Sequence, residues 1–228
     1  MKKNDQNQVN KMLGYNYQIC DDANSLICFP ANILNNEELI EKTRIFIRQM
    51  YQESGYSGFE NEYDRYFDDY SLYLCVKNKS DEICAVQRVI HKINNELLPI
   101  EKALINNESK NERYKITRFN SVEITSFVFK SIKAIDLLVA SIAHYGVYMG
   151  VKKAYALLDE KSKKLKKIYQ KIGWEESEVF KKSVFFPGYG EVNNGRIVPT
   201  IWKVMELNEK KILGIAERIN KYRIIERH

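Results

Sequence analysis

The chain has 228 residues, 44% of them hydrophobic and 29% charged, a composition that excludes a disordered chain and is long enough for one α/β unit with a full core. Its formal charge of +6 is too small an excess to define a nucleic-acid-binding surface, although it suits an acidic macromolecular partner. Cys20, Cys28, Cys75 and Cys84 form no CxxC pair and have no histidine at ligand spacing, so the expectation is buried free thiols and no metal centre. The N-terminus MKKNDQNQVNKML lacks the apolar stretch of a secretory leader. The longest apolar run, 137–151, contains His144 and two glycines and is shorter than the roughly 20 residues that cross a bilayer. These features predict a cytoplasmic chain without a transmembrane segment.

In chain order, residues 1–12 are polar and read as a mobile N-terminus, leaving 13–228 as one unit. YNYQIC and SLICF read as short strands around an Asp21-Asp22 turn. Asn35 and Asn36 are candidate N-caps for a helix with Leu39, Ile40, Thr43, Phe46, Ile47 and Met50 inward, stopped at Gly55. Alternation over 70–76 and 82–90 predicts an antiparallel hairpin, and Pro99 starts a short helix. The strand over 119–129 places Glu123, Thr125, Phe127 and Phe129 on one side and Val122, Ile124, Ser126 and Val128 on the other. A helix ending near Gly150, a strand in KKAYALLD and a helix ending at Gly173 follow. A β segment over EVFKKSVFF, a Gly-rich connection GYGEVNNG, a strand in VPTIWKVMEL and a last helix through Tyr222 complete the chain. The order predicts one mixed α/β sheet flanked by helices.

KKAYALLDEKSKKLKKIYQKIGW, a strand ending in Asp and a helix carrying Tyr-x-Lys-x-Gly, is similar to the second half of the N-acetyltransferase-like (GNAT) superfamily. Upstream, IFIRQMYQESGY resembles a segment of the long-chain N-acyl amino acid synthases and of their relatives, the acyl-homoserine lactone synthases, through Arg48, Tyr51, Glu53 and Gly55. EYDRYFDDYSLYLCV resembles their acidic run through Asp64, Asp68 and Ser71, with Tyr73 where histidine is often found. AVQRVI matches through Arg88, LLPIEK through Leu98, Pro99 and Glu101, VEITSFVF through Glu123, Thr125 and Phe127, and GYGEVNNGRIVP through Gly195, Arg196 and Pro199. The matches keep their order along the chain. Two positions depart from the pattern: Ser126 stands where the family has arginine, and Ala85 where it has glycine.

The resemblance implies a GNAT-like fold and an acyl-phosphopantetheine thioester, on acyl carrier protein or coenzyme A, lying along 123–129. The link KSIKAID has no glycine where coenzyme A users place a loop for the pyrophosphate, which favours the carrier protein. Lys161, Lys163, Lys164, Lys166 and Lys167 could steer such an acidic partner or form a solvated face. An amino-acid amine must lose a proton before it attacks a thioester. Glu123 is therefore the candidate base or orienting residue, the alternative being an ion pair with Arg88 or Arg118. Arg88 and Arg48 are candidates for binding the acceptor carboxylate, or else partners of Asp64 and Asp68. Asp68, Ser71, Thr125, Ser126, Phe127 and Phe129 complete the expected substrate site. Tyr169 occupies the place of a general acid for the departing thiol, and its spacing also fits a buried stripe. Phe127, Phe129, Trp174, Phe185 and Phe186 are candidates for an acyl tunnel or plain core. His91 and His144 read as structural. The expected function is long-chain acyl transfer to an amino acid. The alternatives are an acyl-homoserine lactone synthase using S-adenosylmethionine, or an inactive GNAT-fold binding module.

Overall fold

The computed structural model describes residues 3–58, 65–93, 96–106, 111–117 and 120–227; Asp64, Arg118 and Phe119 lie outside them. The segment expected to be mobile is instead a helix, α1 (Lys3–Leu13). Met12 is buried, Val9 and Leu13 pack beside it, and Gln8 bonds to His91 Nδ1 at 3.2 Å. One short apolar stripe is enough to dock a helix whose other faces are polar.

β1 (Tyr17–Asp21) and β2 (Leu26–Ala31) pair as the first hairpin. α2 (Glu37–Glu53) begins at Asn36, whose side chain accepts from Leu39 N, and Gly55 follows its end at a φ of 84°. After β3 (Tyr56–Ser57) and a 3-10 turn, Asp68–Tyr70, come β4 (Ser71–Asn78) and β5 (Ile83–His91), antiparallel as their alternation predicts. α3 (Pro99–Lys102) is a single turn, followed by β6 (Leu104–Ile105) and β7 (Ser121–Phe129). α4 (Ile132–Met149) ends at Gly150 in the left-handed region, β8 (Lys153–Asp159) follows, and α5 (Lys163–Ile172) ends at Gly173. Two short strands come next, β9 (Glu175–Glu176) and β10 (Val184–Phe185). The chain closes with β11 (Gly190–Asn193), β12 (Arg196–Pro199), β13 (Trp202–Asn208), α6 (Glu209–Ala216), a 3-10 turn and β14 (Arg223–Glu226).

Eleven described strands form one mixed sheet in the order β14-β1-β2-β4-β5-β7-β8-β13-β10-β6, with β9 also on β13. The β7–β8 pair is parallel and the other described pairs are antiparallel. One face packs against α1, α4 and α6 through Leu72, Leu74, Val122, Ile124, Leu137, Leu138 and Ile212. The opposite face is covered at one end by α2, through Ile40, Phe46 and Ile47 on Tyr73, Cys75 and Val86. Phe67, Ile90, Leu98, Ile100, Tyr155 and Val204 form a further cluster. α4 is long and apolar enough to cross a membrane, but most of it is buried in the first cluster.

Three further expectations change. The Gly-rich stretch before Pro199 is a hairpin, β11–β12, turned by Asn194 and Gly195 at φ values of 49° and 74°, and joined by β3 in a small second sheet. That Asn-Gly pair is a hairpin signal in its own right. The β segment over EVFKKSVFF contracts to β10, because Ser177 Oγ accepts from Val179 N and Phe180 N and turns the chain away. The last helix ends earlier than expected, at Ala216, and the tail returns as β14 alongside β1.

Candidate active site

The site begins with a fault in the sheet. β7 pairs with β8 from Ser121–Lys153 to Ile124–Ala156, and there the ladder stops while both strands continue. On its other side β7 carries a bulge: Val86 faces Val128 but Arg88 faces Thr125, one residue more on β7 than on β5. Ser126 sits in the bulge at a φ of 55°, a left-handed conformation that a non-glycine residue adopts at a cost of roughly 1–2 kcal/mol. The extra residue reverses the sides beyond it. Phe127 and Phe129 therefore pack with Val122 and Ile124 on the α4 face, while Val128 joins the α2 face. The expected alternation through 119–129 holds only as far as the bulge.

Strands that stop pairing leave a wedge, and a cleft of about 380 Å³ opens in it. Glu123, Ile124, Thr125, Ser126 and Phe127 form its edge, Tyr169 and Leu165 of α5 one wall, and Tyr51, Tyr56, Tyr189 and Trp202 another. A smaller apolar cavity of about 40 Å³ shares Ile124, Phe127 and Tyr169 with the cleft and reaches Trp174. Phe186 lines the cleft, whereas Phe129 and Phe185 line neither space.

Glu123 is wholly buried. Its Oε2 accepts from Ile100 N at 2.8 Å, while Oε1 is buried with no hydrogen-bond partner among the described residues. Burial raises its pKa from 4.5 to about 8; the Ile100 hydrogen bond opposes this and the nearby Glu101 charge adds to it. Arg88, considered as its ion-pair partner, is held elsewhere. Arg88 Nη2 donates to Asp68 Oδ1 at 2.8 Å and Nε to Ser71 Oγ at 3.0 Å, and the guanidinium lies over the Tyr73 ring. The second Asp68 oxygen accepts from Arg44, a buried residue one helical turn before Arg48. Asp68, Ser71 and Arg88 thus meet, and Arg88 reaches the cleft as part of a buried ion-pair network. Arg48 is half-buried on α2 and is not among the cleft-lining residues. Arg44 was not singled out from the sequence, although it shares the inward stripe of α2 with Ile40 and Ile47.

Tyr169 lines the cleft with its hydroxyl directed to Leu157 O at 3.4 Å, and burial keeps that hydroxyl protonated well beyond the ordinary range of tyrosine. The opposite wall was not read from the sequence. Tyr56, Tyr189 and Trp202 stand 6.0–6.1 Å apart, with planes 7–28° from parallel. Tyr56 donates to Asp159 at 2.5 Å, and Trp202 Nε1 is buried with no hydrogen-bond partner among the described residues. Gly58 lets this wall close, since a Cβ there would stand 1.9 Å from Gly188 O. His91 and His144 lie apart from the cleft, bonded to the Tyr145 and Tyr15 hydroxyls at 2.5 and 2.9 Å. Burial lowers both their pKa values, that of His91 to about 3.

The described chain has the GNAT-like fold, a mixed sheet flanked by helices, here with a central parallel pair that splays beside a bulge. The structure is similar to that of FeeM, an N-acyl amino acid synthase from uncultured soil microbes, with a TM-score of 0.55 and 12% identity over 83% of this chain and 97% of that one. It is also similar to a GNAT-family acetyltransferase from Streptococcus pneumoniae, with a TM-score of 0.51 and 10% identity over 80% and 99% of the two chains. A probable acetyltransferase from Staphylococcus epidermidis gives a TM-score of 0.50 and 12% identity over 81% and 99%. At such identities the likeness is one of fold. No family model and no curated protein matches the sequence.

Proposed function

We propose that the protein is an N-acyltransferase that moves a long-chain fatty acyl group from the phosphopantetheine thioester of acyl carrier protein to the amine of an amino acid. The observation that carries this reading is the wedge between β7 and β8, with Glu123 at its edge and its Oε1 without a hydrogen-bond partner among the described residues. A pantetheine arm laid in the wedge gains the backbone groups that the two strands no longer give each other. The thioester then lies beside Glu123. Glu123 takes a proton from the incoming ammonium, the amine attacks the carbonyl carbon, the C–N bond forms and the C–S bond breaks. Tyr169, protonated and on the α5 wall, supplies the proton to the departing thiolate and regains one from the second proton that the acylated nitrogen sheds as it becomes the amide. The acyl tail runs along Phe127 toward the apolar cavity.

Two features favour the carrier protein as donor. The start of α4, Ser131-Ile132-Lys133, has no glycine, and the Ile132 side chain is 74% exposed where a pyrophosphate would need bare N–H groups. α5, which gives Leu165 and Tyr169 to the cleft, leaves Lys163, Lys164, Lys166 and Lys167 exposed to solvent. Palmitoyl-carrier protein and palmitoyl-coenzyme A, each offered with the twenty amino acids, test the reading by mass spectrometry of the products. N-acyl amino acids formed faster from the carrier support it. Acyl lactones formed from S-adenosylmethionine, or no acylated product from any pair, would reject it.

A further inference from the structure

We propose that Glu101 is a positioning residue for Glu123: it holds the turn that presents the Ile100 N–H to Glu123 Oε2, and its buried negative charge makes Glu123 the stronger base. This rests on the acyltransferase reading and deepens it, giving the LLPIEK segment a part in the chemistry. α3 is a four-residue turn, too short to hold its own shape. The first N–H groups of any helical turn find no partner inside it. Here Pro99 has none to offer, Leu98 N donates back to Glu101 Oε2 at 2.9 Å, and Ile100 N donates to Glu123 Oε2 at 2.8 Å. The aim of that last N–H depends on whatever fastens the turn.

Glu101 is the fastening. It is buried, and besides Leu98 N its carboxylate accepts from Ile116 N at 2.8 Å and from Lys92 Nζ at 2.5 Å. Lys92 directly follows β5, and its N–H donates to Ser121 O at 2.9 Å, at the start of the strand that carries Glu123. One carboxylate therefore ties the turn to both β5 and β7. With Oε2 held by Ile100, Oε1 is the oxygen left for an incoming amine. The charged and titratable groups around Glu123 come from several elements. α3 gives Glu101 and Lys102, β5 gives Arg88, β8 gives Tyr155 as the register partner of Glu123, and α5 gives Tyr169. Arg88 is engaged by Asp68 and Ser71, and Lys102 lies over the Tyr66 and Phe67 rings with the Glu96 charge acting on it. Among these groups Glu101 is the carboxylate. Its charge acts on Glu123 in the same direction as burial and against the Ile100 hydrogen bond, as like charges near one another do.

The test uses the full-length protein labelled with ¹³C at glutamate side-chain carboxyls, the Glu123 resonance being the one that vanishes in Glu123→Gln. In the wild type it titrates with a midpoint near 8. In Glu101→Gln, which keeps the shape and removes the charge, the midpoint falls by about one pH unit or more. The double variant Lys92→Met/Glu101→Gln leaves no buried ion unpaired and shows the same fall if the single variant does not fold. With palmitoyl-carrier protein and the twenty amino acids, kcat at the high-pH plateau drops at least about tenfold in the folded variant, while KM for the amino acid changes little. A midpoint that stays in place, or a plateau kcat equal to that of the wild type, overturns the assignment. The resonance is read without turnover. A wild type that acylates no amino acid therefore rejects the acyltransferase reading, while the midpoint still decides whether Glu101 acts on Glu123.

Discussion

A carboxyl group sealed from water keeps its proton to higher pH, and Glu123 keeps its own to about 8. The folded protein therefore binds a proton that the unfolded chain releases between pH 4.5 and about 8. The part of the stability that depends on Glu123 is greatest below that window and declines as pH rises through it, by an amount on the order of a few kcal/mol. Urea denaturation on either side of the window should show this decline in the wild type and a flatter profile in Glu123→Gln. An equal slope in both would mean that Glu123 titrates normally. Glu123 stood out in the sequence through the match of VEITSFVF to the family pattern, and it lines the cleft. Lys102 and Trp202 did not, since each reaches the cleft through a contact between segments distant in the chain. Arg44 was hidden behind Arg48, because residues one turn apart share a helical face and only the packing shows which lies inward.

Two elements hold the site open. The first is the bulge at Ser126, where a β-branched side chain could not keep the left-handed backbone. Ser126→Val should cost about 1–2 kcal/mol in chemical denaturation and reduce kcat/KM at least about tenfold as the strands realign. A variant of wild-type stability and activity would show that the bulge is not needed. The second is the Asp68–Tyr70 turn, where the Asp68 carboxylate pairs with both Arg44 and Arg88. Asp68→Ala removes the buried carboxylate that both guanidiniums share and should destabilise the fold by about 3–5 kcal/mol, read from the urea midpoint. The long strands and helices were legible from period and caps: β4, β5, β8 and α2 lie close to where alternation and Asn36 put them. The bulge was not, because a one-residue slip leaves the sequence pattern intact and reverses only the faces. β3, β6, β9 and β10 are two residues each, too short for any period to register.

Across the whole molecule the order of strands and helices indicated a mixed sheet flanked by helices, and the residues from Arg48 to Pro199 pointed to the GNAT fold. The ends of the chain were misread because composition says nothing of docking. α1 places Met12 in the main core and β14 closes the sheet against β1. Deleting residues 1–13 should lower stability by about 1.5–3 kcal/mol, the value of burying one methionine-sized side chain, and thermal melting would show it. A truncated protein of unchanged melting temperature would mean that the helix adds nothing. The exposed lysines of α5 belong to the proposed use of acyl carrier protein as donor. Charge-guided docking weakens with ionic strength, so KM for the acyl-carrier protein should rise with added salt while KM for the amino acid changes little.

The most direct measurement is formation of N-palmitoyl amino acid from palmitoyl-carrier protein and the twenty amino acids, followed by mass spectrometry across pH for the wild type and Glu123→Gln. The account predicts a wild-type rate that rises with pH through a limb near 8. It predicts a Glu123→Gln rate lower by about 10²–10⁴-fold, without that limb, in a protein that still folds. Equal turnover by a folded Glu123→Gln protein would contradict the role given to Glu123, and no acylated product from the wild type would contradict the function.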